Sequence, residues 1–515
     1  ILGGQMFQNL ESLLIWIVSI EHIHLAIYIM FLIAILVSER SPETIVAWIF
    51  TITVFPVFGF ILYLVFGINW RKNRIESLQN KNRRSLFKGF PSLTKNFLKY
   101  DPAEIFHSRK VKPEDLDILM NNAGLSQEES EIVKLLYTSE GTYLTHNSSY
   151  EMFYDGKEAF DSIIQDLENA KETIYMEYFI WKSDKLGEKI KDILVKKAKE
   201  GVKIRLLFDG MGSFGTISEK YRKELLKVGV EFKYFLDIKF ALSKINYRNH
   251  RKITIVDNRI LHTGGMNLGE EYITGGRRFE SWRDTNVRIQ GELVLHYLAI
   301  FVTDWLNSGG KQDFNMDDIE EVMEEHKKIR EDSPYLMQVS ASGPDTIWTT
   351  LKYTYSKLIT SAKKEILIQS PYFIPDTSLV SQLKIAALSG VKIKLMIAGV
   401  PDKKIPYWIA ETYFEELLMV GVEIYRYKAG FIHCKNIVVD GKVSTMGTCN
   451  FDMRSFEINY EINSIFYNEE ISQSIRNQFY KDLDFCEEIK EENLKETVFW
   501  RKIRNSLFRV VSPLM

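Results

Sequence analysis

HRKITIVDNRILHTGGMN occupies residues 250–267 of this chain, and HCKNIVVDGKVSTMGTCN occupies residues 433–450. Both stretches follow one pattern, H-x-K-x4-D-x6-G-[GT]-x-N. In each, a short apolar run ends at an aspartate, and a second short run leads to the glycine. Side chains two apart on a strand share a face, so the His and Lys of each copy are predicted to point into the same space.

The two stretches belong to a longer duplication. GVKIRLLFDG (201–210) returns as GVKIKLMIAG (390–399), and ELLKVGVEF (224–232) returns as ELLMVGVEI (416–424). Amphipathic helix patterns alternate with β-rich apolar runs in both copies, and a charged helix-like segment at 317–334 separates them. This alternation predicts an α/β fold of two tandem units related by a pseudo-twofold axis.

The amino-terminal part is strongly apolar. Residues 44–68 are 25 positions without a charge, which as a helix would cover about 37 Å, more than the roughly 30 Å of a bilayer core. We therefore predict a transmembrane helical hairpin with spans at about 13–37 and 44–68. The first apolar run contains Glu21, His22 and His24. It is either one long span with a polar interruption or an interfacial helix followed by a short span.

Charge is unevenly distributed along the chain. The total net charge of −2 argues against a nucleic-acid partner. Between residues 71 and 99, however, nine basic residues and one acid, Glu76, give +8. The positive-inside rule then places everything after residue 70 in the cytoplasm, against the anionic inner face of the cell membrane. A cleaved signal peptide is not expected, because no basic segment precedes the first apolar run.

The two motifs together predict chemistry at phosphorus. A histidine can act as nucleophile or acid, and the pseudo-twofold would let His250 and His433 face each other across one phosphorus atom, one attacking while the other protonates the leaving oxygen. A fixed positive charge and a neutral amide suit the nonbridging phosphate oxygens. These roles fall to Lys252, Lys435, Asn267 and Asn450.

Two acids are candidates to orient the histidines through the second ring nitrogen. Asp284 stands 34 residues after His250, and Glu461 stands 28 residues after His433. The motif aspartates, Asp257 and Asp440, end their strands and are expected to be structural.

Several other polar residues were weighed against these. His262 has no counterpart in the second copy and is expected to be ordinary, while alternation turns Cys434 and Cys449 away from the site. Asp209 either shapes the mouth of the site or forms a turn. With three cysteines, no CxxC pair and no acidic cluster at metal-ligand spacing, we expect neither a metal nor a cofactor.

The paired motifs resemble the HKD signature of the phospholipase D superfamily, and the whole chain is similar to the bacterial cardiolipin synthases of that superfamily. The resemblance extends to YFIWKSD (178–184), GGMNLGEEY (264–272), WRDTNVRI (282–289), QSPYFIPD (369–376) and GTCNFDMRSFEINYEIN (447–463). It implies transfer of a phosphatidyl group between two phosphatidylglycerol molecules with release of glycerol. By family analogy His250 carries the phosphatidyl group and His433 protonates the glycerol, although the nearly symmetric sequence does not itself distinguish them.

The resemblance divides the chain into a membrane module (1–70), a basic linker and connector (71–135), a first phospholipase D-like half (136–333) and a second half with a tail (334–515). A homo-oligomer is compatible with it. The alternatives are a phospholipase D-type hydrolase or a transphosphatidylase using other alcohols, a membrane-tethered nuclease, and a non-enzymatic scaffold. The tail WRKIRNSLFRVV (500–511) either lies on the membrane or packs on the protein.

Overall fold

The computed structural model describes residues 25–38, 42–67, 124–235, 246–314, 335–344, 348–492 and 499–510, together with isolated positions 22, 318, 319, 321, 322, 324, 325, 346 and 512. The basic linker at 71–99 and the end of the connector at 326–334 lie outside the described residues, as do residues 13–21. The predicted domain boundaries therefore stay predictions. Contacts divide the chain into two units, Ile1–Asn69 with Leu507–Met515, and Trp70–Ser506.

The amino-terminal unit is helical. Residues 25–36 form one helix, followed by α1 (Pro42–Val54), α2 (Pro56–Leu62) and a π-helical turn, Tyr63–Gly67. Its small core contains Ile35, Trp48, Ile52 and Tyr63.

The helix predicted over 44–68 is interrupted at Phe55. Pro56 lacks an amide hydrogen and restricts the residue before it, and Phe55 accordingly adopts φ −127°, ψ 71° as the N-cap of α2. Among the described residues, none of the helices combines the length and the apolarity needed to cross a membrane.

The larger unit is built on one sheet that runs through both copies of the repeat. In the described residues this sheet has 15 strands, in the order β19-β13-β12-β10-β15-β16-β18-β9-β1-β8-β6-β5-β2-β3-β4. On both sides of the central β1–β9 pair, equivalent strands of the two copies follow in the same order: β8, β6, β5, β2, β3 and β4 on one side, and β18, β16, β15, β10, β12 and β13 on the other. Strand β19 is an extra edge strand of the second copy. The strands are β1 (Thr145–Phe153), β2 (Thr173–Tyr178), β3 (Lys203–Asp209), β4 (Glu231–Phe235), β5 (Lys252–Val256), β6 (Ile260–Gly264), β8 (Asn286–Gly291), β9 (Tyr335–Ser342), β10 (Glu365–Gln369), β12 (Lys392–Ala398), β13 (Glu423–Tyr427), β15 (Asn436–Val439), β16 (Val443–Gly447), β18 (Glu461–Phe466) and β19 (Cys486–Ile489).

The α/β prediction is thus confirmed, with the addition that the halves share a sheet through the antiparallel pairing of Thr145–Asn147 with Tyr335–Met337. Two further two-stranded pairs lie beside it, β7 (Trp282–Arg283) with β14 (Phe431–Ile432), and β11 (Phe373–Ile374) with β17 (Phe451–Asp452).

Helices cover the sheet, as buried parallel strands require. They are α3 (Gln127–Glu140), α4 (Gly156–Asn169), α5 (Lys185–Lys199), α6 (Glu219–Lys227), α7 (Glu271–Thr274), α8 (Leu293–Asn307), α9 (Thr350–Ser361), α10 (Thr377–Leu388), α11 (Lys404–Leu418), α12 (Met453–Glu457), α13 (Glu469–Leu483) and α14 (Phe499–Val510). One apolar core extends across both halves: it includes Ile253 and Val287 of the first half and Val438 and Ile462 of the second.

The motif aspartates hold strands together far from the histidines. Asp257 has φ 51° and accepts backbone N–H bonds from residues 171, 172 and 173 at the start of β2. Asp440 has φ 54° and does the same for residues 363, 364 and 365 at the start of β10. Aspartate tolerates this left-handed conformation better than most residues, and its carboxylate satisfies three amides at once.

We predict that Asp257→Asn lowers the free energy of unfolding by about 1–3 kcal/mol, because an amide nitrogen would face one of the three donors. Asparagine keeps the left-handed tolerance, so the change tests the carboxylate alone. Urea unfolding followed by tryptophan fluorescence measures the effect. The matched control is Asp161→Asn on the exposed side of α4, which should change stability by less than about 0.5 kcal/mol. Equal stability of the two variants would contradict the assigned role.

Candidate active site

The two histidine motifs begin at the same edge of the sheet. β5 runs antiparallel to β2, with Lys252 opposite Tyr178, and β15 runs antiparallel to β10, with Asn436 opposite Gln369. His250 lies two residues before Lys252 and His433 lies three residues before Asn436, so both motif histidines lie at the carboxyl ends of the parallel strands. This is the edge at which open α/β sheets commonly bind ligands.

Backbone pairing ties each histidine to the opposite half. The amide of His250 donates to the carbonyl of Tyr460 at 2.8 Å, and the amide of His433 donates to the carbonyl of Arg283 at 2.7 Å. The residues that follow these two carbonyls are Glu461 and Asp284. Each acid is therefore delivered to the histidine of the other half.

The side chains complete this exchange. His433 Nδ1 lies 2.7 Å from Asp284 Oδ2 in a hydrogen bond, and His250 Nδ1 lies 3.2 Å from Glu461 Oε1. The second approach has the distance of an ion pair without the angle of a hydrogen bond. A carboxylate can only accept, so it favours the tautomer with a proton on Nδ1 and leaves Nε2 as the free nitrogen.

Each acid is held from its own half at matched positions. A Cβ at Gly265 would lie 2.2 Å from Asp284 Oδ1, so only glycine fits against this carboxylate. The matched residue of the second copy, Thr448, instead donates its hydroxyl to Glu461 Oε2 at 2.5 Å, and Asn459 donates to the other oxygen at 3.1 Å. The longer glutamate is thus fixed by two side chains, and the shorter aspartate by close backbone packing.

Both lysines are buried beside the histidines. Lys252 Nζ donates to the backbone carbonyl of His250 at 2.5 Å, and Lys435 Nζ donates to that of His433. Burial lowers the pKa of Lys252 to about 7 and lowers that of Lys435, although the charge of Glu461 opposes the shift in both. The site thus holds two buried amines whose charged forms are disfavoured by burial and supported by the carboxylates of Asp284 and Glu461.

The two asparagines also lie in matched environments. Asn267 donates to the hydroxyl of Tyr272 at 3.2 Å and accepts from the amide of Ile180, while Asn450 donates to Ser455 Oγ at 3.3 Å. The amide oxygen of Asn450 is buried and makes no hydrogen bond. Both ends of the Asn267 amide therefore have protein partners, whereas the oxygen of Asn450 has none.

Sequence reasoning missed Tyr272. Its hydroxyl lies 3.3 Å from His433 Nδ1, close to the Asp284 carboxylate that shares this nitrogen. Tyr272 stands five residues after Asn267, just as Ser455 stands five after Asn450, so alignment of the two copies could have identified the position. His250 has no such hydroxyl contact among the described residues. Instead it packs against Phe179, with ring centroids 4.4 Å apart.

A buried Arg–Asp pair supports each histidine, but the arginines come from unmatched positions. Arg251, directly after His250, pairs with Asp304 of α8. Near His433 the arginine is Arg283 of the first half, which pairs with Asp482 of α13 at 3.0 Å and donates to Cys434 Sγ at 3.3 Å. Cys434 occupies the position that matches Arg251, and a small residue there leaves room for the incoming guanidinium.

The remaining candidates lie outside this constellation. His262 forms a 2.6 Å hydrogen bond with Asp166, which also accepts from Arg288. Asp209 accepts from the amide of Asn249 at 2.7 Å, which fixes the residue before His250. Burial raises the pKa of the Cys434 thiol to about 12, so it stays protonated at neutral pH. In the parts of the chain that the structure describes, no three His, Cys, Asp or Glu side chains are grouped to hold a metal ion.

Burial and the lysine charges keep both histidines neutral. Burial, and then Lys435, lower the pKa of His433 to about 4, with Asp284 opposing the shift. Burial, Lys252 and Lys435 lower the pKa of His250 well below its usual value. Burial raises the pKa of Glu461 to about 7. A neutral imidazole with a free Nε2 is the form that can attack phosphorus.

The sequence matches known families over most of its length. The model described as "Cardiolipin synthase, PLD-like domain" matches residues 163–305 and 355–483, and a "Phospholipase_D-nuclease N-terminal" model matches residues 26–67. A cardiolipin synthase of Clostridium perfringens is 36% identical over 93% of this chain and 96% of its own length. The major cardiolipin synthase of Bacillus subtilis is 34% identical over 98% of this chain and 100% of its own.

The chain belongs to the cardiolipin synthase family. The resemblance drawn from the motifs is therefore confirmed, and so is the prediction of a phosphatidyltransferase. Among solved structures, a phosphatidylserine synthase of Haemophilus influenzae aligns with 75% of this chain and 100% of its own at a TM-score of 0.55 and 15% identity. That likeness shows that the two proteins share a fold, and the matching family model describes the domain as phospholipase D-like.

We predict that His433 titrates near pH 4 in the folded protein. Its pKa lies below that of the unfolded chain, near 6.5, so the free energy of unfolding that the neutral ring supports is present above pH 6.5 and is lost as pH falls through 4. NMR of protein labelled at the histidine Cε1 carbons measures the titration, with the resonance assigned by its absence in His433→Gln. The same resonance in urea should titrate near 6.5. A folded-state midpoint at the unfolded value would refute the buried neutral ring.

Proposed function

We propose that this chain is a cardiolipin synthase that transfers a phosphatidyl group from one phosphatidylglycerol to a second, with release of glycerol. The observation that carries the proposal is the crossed pair of histidines. Each has Nδ1 against a carboxylate of the opposite half, and two buried lysines lie beside them. Such a site can bind one phosphodiester and offer it two imidazoles with different tasks.

In the proposed first step, His250 Nε2 attacks phosphorus. The N–P bond forms, the P–O bond to glycerol breaks, and His433 gives its proton to the departing glycerol oxygen. In the second step His433 takes the proton of the terminal hydroxyl of a second phosphatidylglycerol. That oxygen attacks the phosphatidyl-histidine, the N–P bond breaks, and His250 is regenerated. No metal or cofactor takes part in either step.

The unequal surroundings of the histidines support this division of work. His433 has a 2.7 Å hydrogen bond to Asp284, which stabilises an imidazolium and suits the residue that carries a proton between steps. His250 has a looser approach to Glu461, and its pKa lies well below the usual value because of burial and both lysines, which keeps it unprotonated. A bound phosphodiester anion would raise the pKa of His433 and hold both lysines charged.

The lysines and asparagines are proposed to bind the nonbridging oxygens. Burial disfavours the charged forms of Lys252 and Lys435, and a phosphate anion beside them would stabilise those forms. The amide nitrogen of Asn450 carries two N–H groups and donates one to Ser455 Oγ, so the second can donate to a phosphate oxygen. Asp257 and Asp440 are proposed to have structural roles only.

We further propose that the chain works at the cytoplasmic face of the cell membrane. Among the described residues, fourteen large exposed apolar side chains lie between Leu25 and Leu64, far more than a surface in water normally carries. The proposed membrane module is residues 1–70, arranged as a hairpin, followed by the basic linker of +8 within 71–135. The halves at 136–333 and 334–515 would then meet anionic lipid, which includes the substrate.

The first test is a product assay. Purified protein in micelles of labelled phosphatidylglycerol should yield cardiolipin and glycerol in equal amounts, with EDTA present, and His250→Ala should lower the rate by at least about 10³-fold because it removes the nucleophile. Asp161→Asn is the control with a remote surface change. Phosphatidic acid as the main product would identify a hydrolase and overturn the proposed acceptor. An unchanged rate for His250→Ala would overturn the enzymatic site.

A second test separates the roles of the two halves. Phosphatidyl-p-nitrophenol has a leaving group that needs no proton, so His433→Ala should still release nitrophenol in a single turnover while His250→Ala should not. Because the acids are exchanged, Glu461→Gln should share the defect of His250→Ala, with a loss of about 10²–10⁴-fold. Asp284→Asn should share the rescue of His433→Ala. The reverse correspondence would show that each acid serves its own half.

A further inference from the structure

The last described helix, α14, packs on the protein through its polar side. Arg501 and Asn505 both contact the carboxylate of Glu411 in α11, Asn505 at 2.8 Å. The guanidinium of Arg504 stacks on the ring of Trp408 at 4.0 Å. Asn505 is only 5% exposed. The side of the helix that contacts α11 is therefore the side that carries Arg501, Arg504 and Asn505.

The apolar side faces away from these contacts. At 100° per residue, Phe499, Trp500 and Ile503 share a face roughly opposite to Arg501 and Asn505. Phe499 is 68% exposed and Trp500 is 72% exposed. An ordinary surface helix buries its apolar stripe and turns its charges to water. In α14 the polar side is packed on the protein and the apolar side is exposed. Among the described residues, nothing covers the side chains of Phe499 and Trp500.

The helix contacts an element that begins at the same edge of the sheet as the site. It packs on α11, whose first residue, Lys404, follows the loop at the carboxyl end of β12, the same edge at which the histidines lie. The charge of Lys403 contributes to the lowered pKa of His250, which places this loop near the reacting groups. The matched loop after β3 exposes Met211 and Phe214 at the same edge.

We propose that the outward face of α14 is a lipid-docking surface whose occupant is an anionic bilayer. Phenylalanine and tryptophan enter the headgroup and acyl boundary, while the exposed Lys502 at the border of this face suits lipid phosphates. The docking would bring the site mouth to the surface that holds its substrate. The inference rests on the proposed function only for the identity of that substrate.

The test uses the full chain with single fluorescent labels. Cys434 and Cys449 are buried, so Cys486→Ser leaves a background in which Trp500→Cys can be labelled with an environment-sensitive nitrobenzoxadiazole dye. The matched control is Leu388→Cys in α10, which is also 72% exposed but lies at the opposite edge of the sheet. The probe is a vesicle of equal parts phosphatidylglycerol and phosphatidylcholine.

At position 500 we expect a blue-shifted emission, a severalfold rise in intensity and quenching by lipids that carry a nitroxide on the acyl chain. At position 388 the emission should stay water-like. Identical, water-like emission at both positions would overturn the proposal. Shielding at position 500 that persists in detergent without a bilayer and grows with protein concentration would assign the face to a second copy of the chain, and would also overturn it.

A functional readout complements the labels. Replacing Phe499 and Trp500 together by glutamate should lower turnover on vesicles severalfold relative to the control that places glutamates at Ile385 and Leu388, which are exposed on α10. Equal turnover of the two variants would count against the docking surface. The label measurement needs no product, so a failure of cardiolipin synthesis would leave it interpretable and would point to the proposed function instead.

Discussion

The contact on which the site depends is a carboxylate given by one half of the repeat to the histidine of the other. Asp284 reaches His433 and Glu461 reaches His250, in each case because the backbone before the acid pairs with the backbone of the opposite motif. Neither half holds an oriented histidine by itself. The shared sheet, joined at β1 and β9, holds the two halves in the register that this exchange requires.

A second constraint is electrostatic. Two lysines and two histidines occupy a space from which water is largely excluded, and burying a charge without full compensation costs several kcal/mol. The protein keeps the histidines neutral and leaves Lys252 with a pKa of about 7 because of burial. In the proposed function, a phosphodiester anion bound beside these lysines would offset part of this cost.

Much of this was accessible from sequence because the duplication supplies its own comparison. The two H-x-K patterns predicted the strands and the face shared by each histidine and lysine. The acids were recognised as a matched pair, but their exchange was not, since one-dimensional spacing cannot show which of two related strands lies beside a loop. Tyr272 was missed although its offset from Asn267 matches that of Ser455 from Asn450. Alternation turns Cys434 away from the site, but it does not show that this thiol contacts Arg283, a residue 151 positions away.

The single helix predicted over residues 44–68 is divided in the structure for a local reason. Hydropathy averages over a window, whereas Pro56 acts at one residue and interrupts the helix at Phe55. For the carboxy-terminal helix, packing on the protein is observed, since its polar side contacts α11. Its apolar side is exposed, and contact of that side with the membrane stays a proposal.

The exchange of acids also has a consequence for biosynthesis. His250 is synthesised some two hundred residues before Glu461. The β1 strand (145–153) likewise precedes its partner β9 (335–342) by nearly two hundred residues. During that interval the first half has His250 and Lys252 but not the Glu461 carboxylate that lies beside the ring in the whole chain. The contact between this histidine and its carboxylate can thus form only after the second half of the repeat has been made.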